Sequence, residues 1–217
     1  MTNFIADLVF LQKGGFVMYF LLLLSLLVVA IGVERLLYYH RQDAGRAFAR
    51  DFAACMADGS YDSALNMISA RQEVLPRLMC AALLAARSTI EMTPRAAVSA
   101  YMEVQSGVAL ARLRDHLYTL SVIVTMAPLL GLLGTISGMI GAFSVFQVQS
   151  GQATAITGGV GEALIATATG LCVAIVALVV HAYFVQRQEK IVTDMEECFS
   201  LLETHIDVML RRSEAGE

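Results

Sequence analysis

Glu162 is the only acidic residue between Asp115 and Glu189, and it opens the apolar run Ala163-Leu-Ile-Ala-Thr-Ala-Thr-Gly170. A carboxylate at the mouth of a membrane-length apolar segment is costly to keep. Such groups mark ion pathways, proton relays or packed polar interiors. Thr135 and Thr167, on neighbouring apolar runs, offer hydroxyls able to donate and accept hydrogen bonds. His181 lies at the far end of the run that Glu162 opens. Each residue also has a plainer reading. A carboxylate at a helix start sits hydrated at the interface or against the positive end of the helix dipole. A threonine in a membrane helix bonds its own backbone at i−3 or i−4, and a histidine at a span's end is interfacial, as His116 is expected to be. Singly, the threonines read as packing residues. With Glu162, on helices joined by a short loop, they form a candidate polar lining.

The elements that must position these groups are membrane helices. The chain has 217 residues, 57% hydrophobic and only 16% charged, with a mean hydropathy of +0.65, which is far more apolar than a soluble domain. Gly14 to Val33, His116 to Gly161 and Ala163 to Gln186 contain no Asp, Glu, Lys or Arg. Three spans follow, at 16–37, 118–146 and 161–185, each long enough to cross about 30 Å of hydrocarbon. Ten of the fifteen Lys and Arg lie between Glu34 and Asp115, and four more follow His181. The connection between spans two and three has none. The excess of cations on inner loops then gives an outer N-terminal segment (1–15), an inner helical region (38–117), a short outer loop (147–160) and an inner C-terminal helix (186–217). The first span is too long, and its leader too poor in cations, for a cleaved signal peptide.

Within the inner region, short helices are expected near 43–57, 61–71 and 77–91, the first stopped by Asp58-Gly59. Thr93-Pro94 reads as an N-cap followed by proline at the first helical position. From there helix is expected to run unbroken into span two, where Pro128 marks a kink. Gly131, Gly134, Gly138 and Gly141 fall on one stripe of that span, and small residues in such a stripe let helix backbones approach closely. In span three, Ala163, Thr167, Gly170, Ala174, Ala177 and His181 share a face. Cys55, Cys80, Cys172 and Cys198 show no pairing pattern and read as reduced structural thiols. A net charge of −4 with no basic cluster excludes nucleic acid as a partner. No phosphate loop, metal-ligand histidine pair or nucleophile elbow is present, so no enzyme, metal site or cofactor is expected.

The runs Ala127-Pro128-Leu-Leu-Gly131-Leu-Leu-Gly134-Thr135 with Gly138-Met139-Ile140 and Phe143, and Gly158-Gly159-Val160-Gly161-Glu162 through Leu171, resemble the second and third membrane helices of the MotA/TolQ/ExbB proton-channel family. Gly14-Gly15 and Glu34-Arg35 are similar to that pattern too, and the three-span topology favours the ExbB/TolQ-like branch over the four-span stators. The resemblance implies an all-α polytopic protein of the bacterial inner membrane, with a periplasmic N-terminus and a cytoplasmic C-terminus. Two of its three membrane helices extend into the cytoplasm, and it assembles as a ring, a homopentamer. It implies partners as well: a dimer of ExbD/TolR-type single-span proteins whose aspartate carries the proton, a TonB/TolA-like protein that receives the work, and surrounding lipid. The ring's polar lining maps to Thr135, Thr167 and Glu162. Where the family often has proline and asparagine in span three, this chain has Val176 and Ala182; beside them, His181 becomes a candidate for proton exit. A non-conducting membrane scaffold and a sodium-driven motor of the same family are the competing readings.

Overall fold

The computed structural model describes residues 15–42, 45–58, 61–88, 93–148 and 153–215. Within these residues every regular element is helical: α1 (Gly15–Gln42), α2 (Gly45–Asp58), α3 (Tyr61–Ser69), α4 (Val74–Ser88), α5 (Pro94–Arg114), α6 (Leu117–Val148) and α7 (Ala153–Ala215). Three of them supply stretches long and apolar enough to cross a membrane. The chain divides into two compact units. One is Met1–Glu34 with His116–Phe184, and the other is Arg35–Asp115 with Val185–Glu217.

The first unit is built from α1, α6 and the leading part of α7. Its seam is made of the smallest side chains. Gly131 and Gly134 of α6 face Thr167 and Ala166 of α7, Gly138 faces Ala163, and Gly159 faces Ala142. Gly170 lies under Ala127 and Gly131. Helix α1 joins through Val17 against Gly134 and through Gly32 against Val180. The starts of α1 and α7 and the later half of α6 therefore share one end of the unit. The large side chains point away: Phe16, Leu26, Leu129, Ile140, Leu164, Ile175 and Val179 are all more than half exposed. Only 28%, 28% and 33% of the three apolar windows is buried within the chain. A surface of that size and character would not survive in water, whereas hydrocarbon or further protein covers it at no cost. The protein is a multi-pass membrane protein.

The second unit is an ordinary water-type core. Phe48, Phe52 and Met56 of α2, Ile68 of α3, Met79 and Leu83 of α4, Val98 and Met102 of α5, and Met195, Cys198, Leu202 and Ile206 of α7 are all nearly or fully buried together. Phe48 and Phe52 stack at 6.0 Å. Thr93 caps α5, its side chain accepting from the Ala96 N–H at 3.3 Å with Pro94 at the first position. Helix α4 starts at Val74, so Pro76 lies inside its first turn rather than ahead of it. There proline removes only an N–H that has no helical partner. Gly59 of the expected Asp58-Gly59 stop lies outside the described residues; α2 itself ends at Asp58.

One expectation is overturned. Helix does not continue from Pro94 into the second span: α5 ends at Arg114, Asp115 turns extended, and α6 begins at Leu117. His116 has a φ of 61°, a left-handed conformation that a non-glycine residue adopts at some cost. The cause is long-range. The carbonyls at the end of α5 are taken by donors from α1: Arg35 Nη1 reaches the Arg112 carbonyl at 3.1 Å, and the Tyr39 hydroxyl donates to the Leu113 carbonyl at 2.7 Å. The Arg35 guanidinium also meets the Asp115 carboxylate at 3.5 Å. Helix ends need such donors, and a partner 77 residues away in sequence cannot be read from local pattern. On the other side of the turn, His116 begins α6 by accepting from the Leu120 N–H at 3.1 Å. Its ring Nδ1 lies 3.0 Å from the Glu34 carboxylate, a more specific role than an ordinary interfacial histidine.

Candidate functional site

Glu162 lies nine positions beyond Ala153, the first residue of α7 (162 − 153). The dipole of a helix end fades within the first turn, so the structure removes that account of its placement. The carboxylate is held instead by the geometry of the small-residue seam. Ala163 is buried at 3% exposure against Gly138, and Glu162, about 100° round the helix from it, is left exposed.

It lines a groove of about 380 Å³ at the end of the unit where α1 and α7 begin. The walls are Gly15, Phe16 and Val17 of α1, the Gly134-to-Ala142 face of α6, and Gly159, Glu162 and Ala163 of α7. Gly15 has a φ of +69°, a backbone that glycine adopts freely. Among the described residues, the polar side chains of this lining are the Glu162 carboxylate and the Ser137 hydroxyl. Ser137 escaped the sequence reading. It sits one residue off the glycine stripe, and nothing local distinguishes it from a packing serine.

The threonines lie elsewhere. Thr167 donates its hydroxyl to the Gly131 carbonyl across the α6–α7 seam at 2.8 Å. Thr135 donates to the Leu132 carbonyl of its own helix at 2.6 Å, and Thr169 to the Ile165 carbonyl at 2.9 Å. Within one chain, then, the structure does not gather Glu162, Thr135 and Thr167 into a single lining: neither threonine borders the groove. Each hydroxyl nevertheless keeps two lone pairs free to accept after giving its hydrogen to a carbonyl. They are set up to receive a hydrogen bond from a protonated group or water rather than to make one.

The glycines fall into two classes. A methyl at Gly131 would meet Thr167 Cα at 3.0 Å, at Gly134 the Ala166 Cβ at 2.6 Å, at Gly138 the Ala163 Cβ at 2.9 Å, and at Gly170 the Ala127 carbonyl at 2.6 Å. At Gly141, a wall of the groove, it would meet nothing within 4 Å. Helix α6 carries on through Pro128. His181 is partly buried, while Val176 and Ala182 are exposed. No group of three or more His, Cys, Asp or Glu able to hold a metal occurs among the described residues.

Known proteins agree with this architecture. The profile of the MotA/TolQ/ExbB proton channel family matches residues 70–197, which takes in α4, α5, α6 and most of α7. A Synechocystis sp. protein named for biopolymer transport, ExbB-like 1, is 35% identical over 186 residues, covering 82% of this chain and 70% of that protein. A second from the same source, ExbB-like 3, is 49% identical over 59 residues, 26% of this chain and 28% of its own length. With three apolar helices of membrane length, a seam of glycines and a carboxylate left open at one end, the chain belongs to the MotA/TolQ/ExbB proton channel family, and within it is ExbB-like.

Proposed function

We propose that this chain is the ring-forming subunit of a proton-driven motor of the bacterial inner membrane, its N-terminus periplasmic and its C-terminus cytoplasmic. In this reading five copies surround a dimer of ExbD/TolR-type single-span proteins. Proton flow past them drives work on a TonB/TolA-like protein, for outer-membrane transport or envelope maintenance. The chain is the conducting housing rather than an enzyme, and it needs no cofactor.

The observation that carries this reading is the setting of Glu162. A carboxylate facing out of a small-walled groove, in a unit otherwise sheathed in Phe, Leu, Ile and Val, is expensive against lipid. Against a neighbouring subunit, a partner helix or a file of water it is not. Assembly turns the open groove into the outer mouth of a polar path. Further in, Thr135 and Thr167 present acceptor oxygens, which suit a partner carboxyl that arrives protonated and leaves ionised. In this reading His181, at the inner end, helps discharge the proton. Each proton crossing 100 mV supplies about 2.3 kcal/mol, so several crossings drive one mechanical step.

The test is proton flux in vesicles holding this chain with its partner. Glu162→Gln and Thr167→Ala should each cut it at least about tenfold while ring assembly persists. Flux that ignores protons and follows sodium would make this a sodium motor instead. The committed hydroxyls of Thr135 and Thr167 favour one other reading, a packing scaffold that conducts nothing. Full energised function in both variants would establish that scaffold, and unchanged flux in His181→Ala would remove His181 from the exit.

A further inference from the structure

We infer that the second unit carries a binding site for an anionic phospholipid, its phosphate held by Arg71, Arg77 and Arg112. The three arginines line one cleft of about 510 Å³ bounded by the end of α3, α4 and α5, a size in the range of small-molecule sites. Among the described residues no Asp or Glu contributes to its lining. Arg71 is already oriented, its guanidinium 5.3 Å from the centre of the Phe48 ring, while Arg77 and Arg112 are exposed. Three arginines on the lining of one concavity favour an anion there. Their forked donors match phosphate oxygens in particular, and Tyr38, Tyr101 and Gln105 add hydrogen-bonding groups to the same wall.

Two observations point to a lipid rather than a soluble phosphate. The first is position in the chain: Tyr38, on the cleft wall, lies on α1 directly after its long apolar run. Basic pockets that directly follow a membrane span recognise anionic headgroups. The second is its apolar wall. Among the described residues past 37, the large apolar side chains exposed in this unit are Leu84, Val104, Val108 and Val208. Leu84 at 50% and Val108 at 45% exposure line the cleft. Inorganic phosphate has no use for them, whereas the glycerol and first acyl carbons of a lipid cover them.

The experiment exchanges lipid onto the purified full-length protein in mixed micelles and measures retained phosphatidylglycerol against phosphatidylcholine by native mass spectrometry. The wild type should retain phosphatidylglycerol in preference. Arg77→Gln and Arg112→Gln should each weaken that preference about fivefold, the effect of one cation near an anionic surface. The triple variant with Arg71→Gln should retain both lipids equally. Soluble glycerol phosphate, added in excess, should not displace the lipid. Both side chains of the single variants are exposed, so those variants keep the test readable if the triple variant does not fold. Unchanged preference in both single variants overturns the proposal. Displacement by glycerol phosphate does so equally, since it would give the cleft to a soluble anion.

Discussion

Gly170→Ala and Gly141→Ala are the same chemical change on the same apolar unit, and the structure predicts opposite signs. A methyl at Gly170 would stand 2.6 Å from the Ala127 carbonyl oxygen and 3.0 Å from the Gly131 Cα. Both are backbone atoms on a helix that cannot step aside alone, so α6 and α7 must separate by several tenths of an ångström. Overpacking of this kind costs about 1–3 kcal/mol. Separation also stretches the 2.8 Å bond from Thr167 to the Gly131 carbonyl, and a weakened hydrogen bond adds about 0.5–1.5 kcal/mol. Against this, alanine gains up to about 1 kcal/mol of helix propensity over glycine. The net expectation is a loss of about 1–3 kcal/mol. At Gly141 nothing lies within 4 Å, so only the propensity gain remains within one chain. Thermal or denaturant unfolding of the detergent-purified protein, followed by helicity, reads the difference. Equal stability of the two variants would refute the close α6–α7 seam. A marked effect of Gly141→Ala on oligomer yield alone, with the single chain unharmed, would place that glycine against another subunit.

Three further outcomes probe the second unit. Thr93→Ala removes the cap on α5 and should cost about 1 kcal/mol in denaturant unfolding; no shift would mean that α5 starts elsewhere. Tyr39→Phe deletes the buried 2.7 Å bond to the Leu113 carbonyl and should cost about 1–3 kcal/mol through the unsatisfied acceptor, read the same way. Cys198 is fully buried, and burial pushes its thiol from 9.0 up to about 12. It should therefore resist alkylation at pH 8 until the unit unfolds, as peptide mass mapping would report. Because the folded thiol holds its proton more tightly than the unfolded one, its contribution is intact below pH 9 and is lost as pH rises from there toward about 12. Labelling of Cys198 as fast as the partly exposed Cys55 would contradict the packing of α7 against α2–α5.

The parts of this fold that local chemistry dictates were legible from residues alone. Uninterrupted apolar runs announced the three membrane helices, and Thr93-Pro94 announced the start of α5. The spacing of Ala163, Gly170, Ala174 and Ala177 announced the face of α7 that the structure buries. What escaped was set by contacts distant in sequence. The break at Asp115–His116 depends on Arg35 and Tyr39 reaching across from α1, and no periodicity within α5 signals it. The start of α7 at Ala153 moved Glu162 away from a helix end because Ala, Thr and Gly can continue a helix as readily as they loop. Ser137 joins Glu162 only through the way α1 closes one side of the groove, and the arginine cleft joins residues from α3, α4 and α5 that look like scattered surface cations in the sequence.

The central claim is that Glu162, left open by its own helices, works on a proton path. Inward proton flux through vesicles carrying this chain and its single-span partner, measured with a pH-sensitive dye under an imposed potential, tests it most directly. Glu162→Gln, which keeps size and hydrogen bonding but cannot ionise, should cut flux at least about tenfold, equivalent to about 1.4 kcal/mol or more in the conducting barrier, while Glu162→Asp should retain part of it. Wild-type flux through the Glu162→Gln ring would contradict the account.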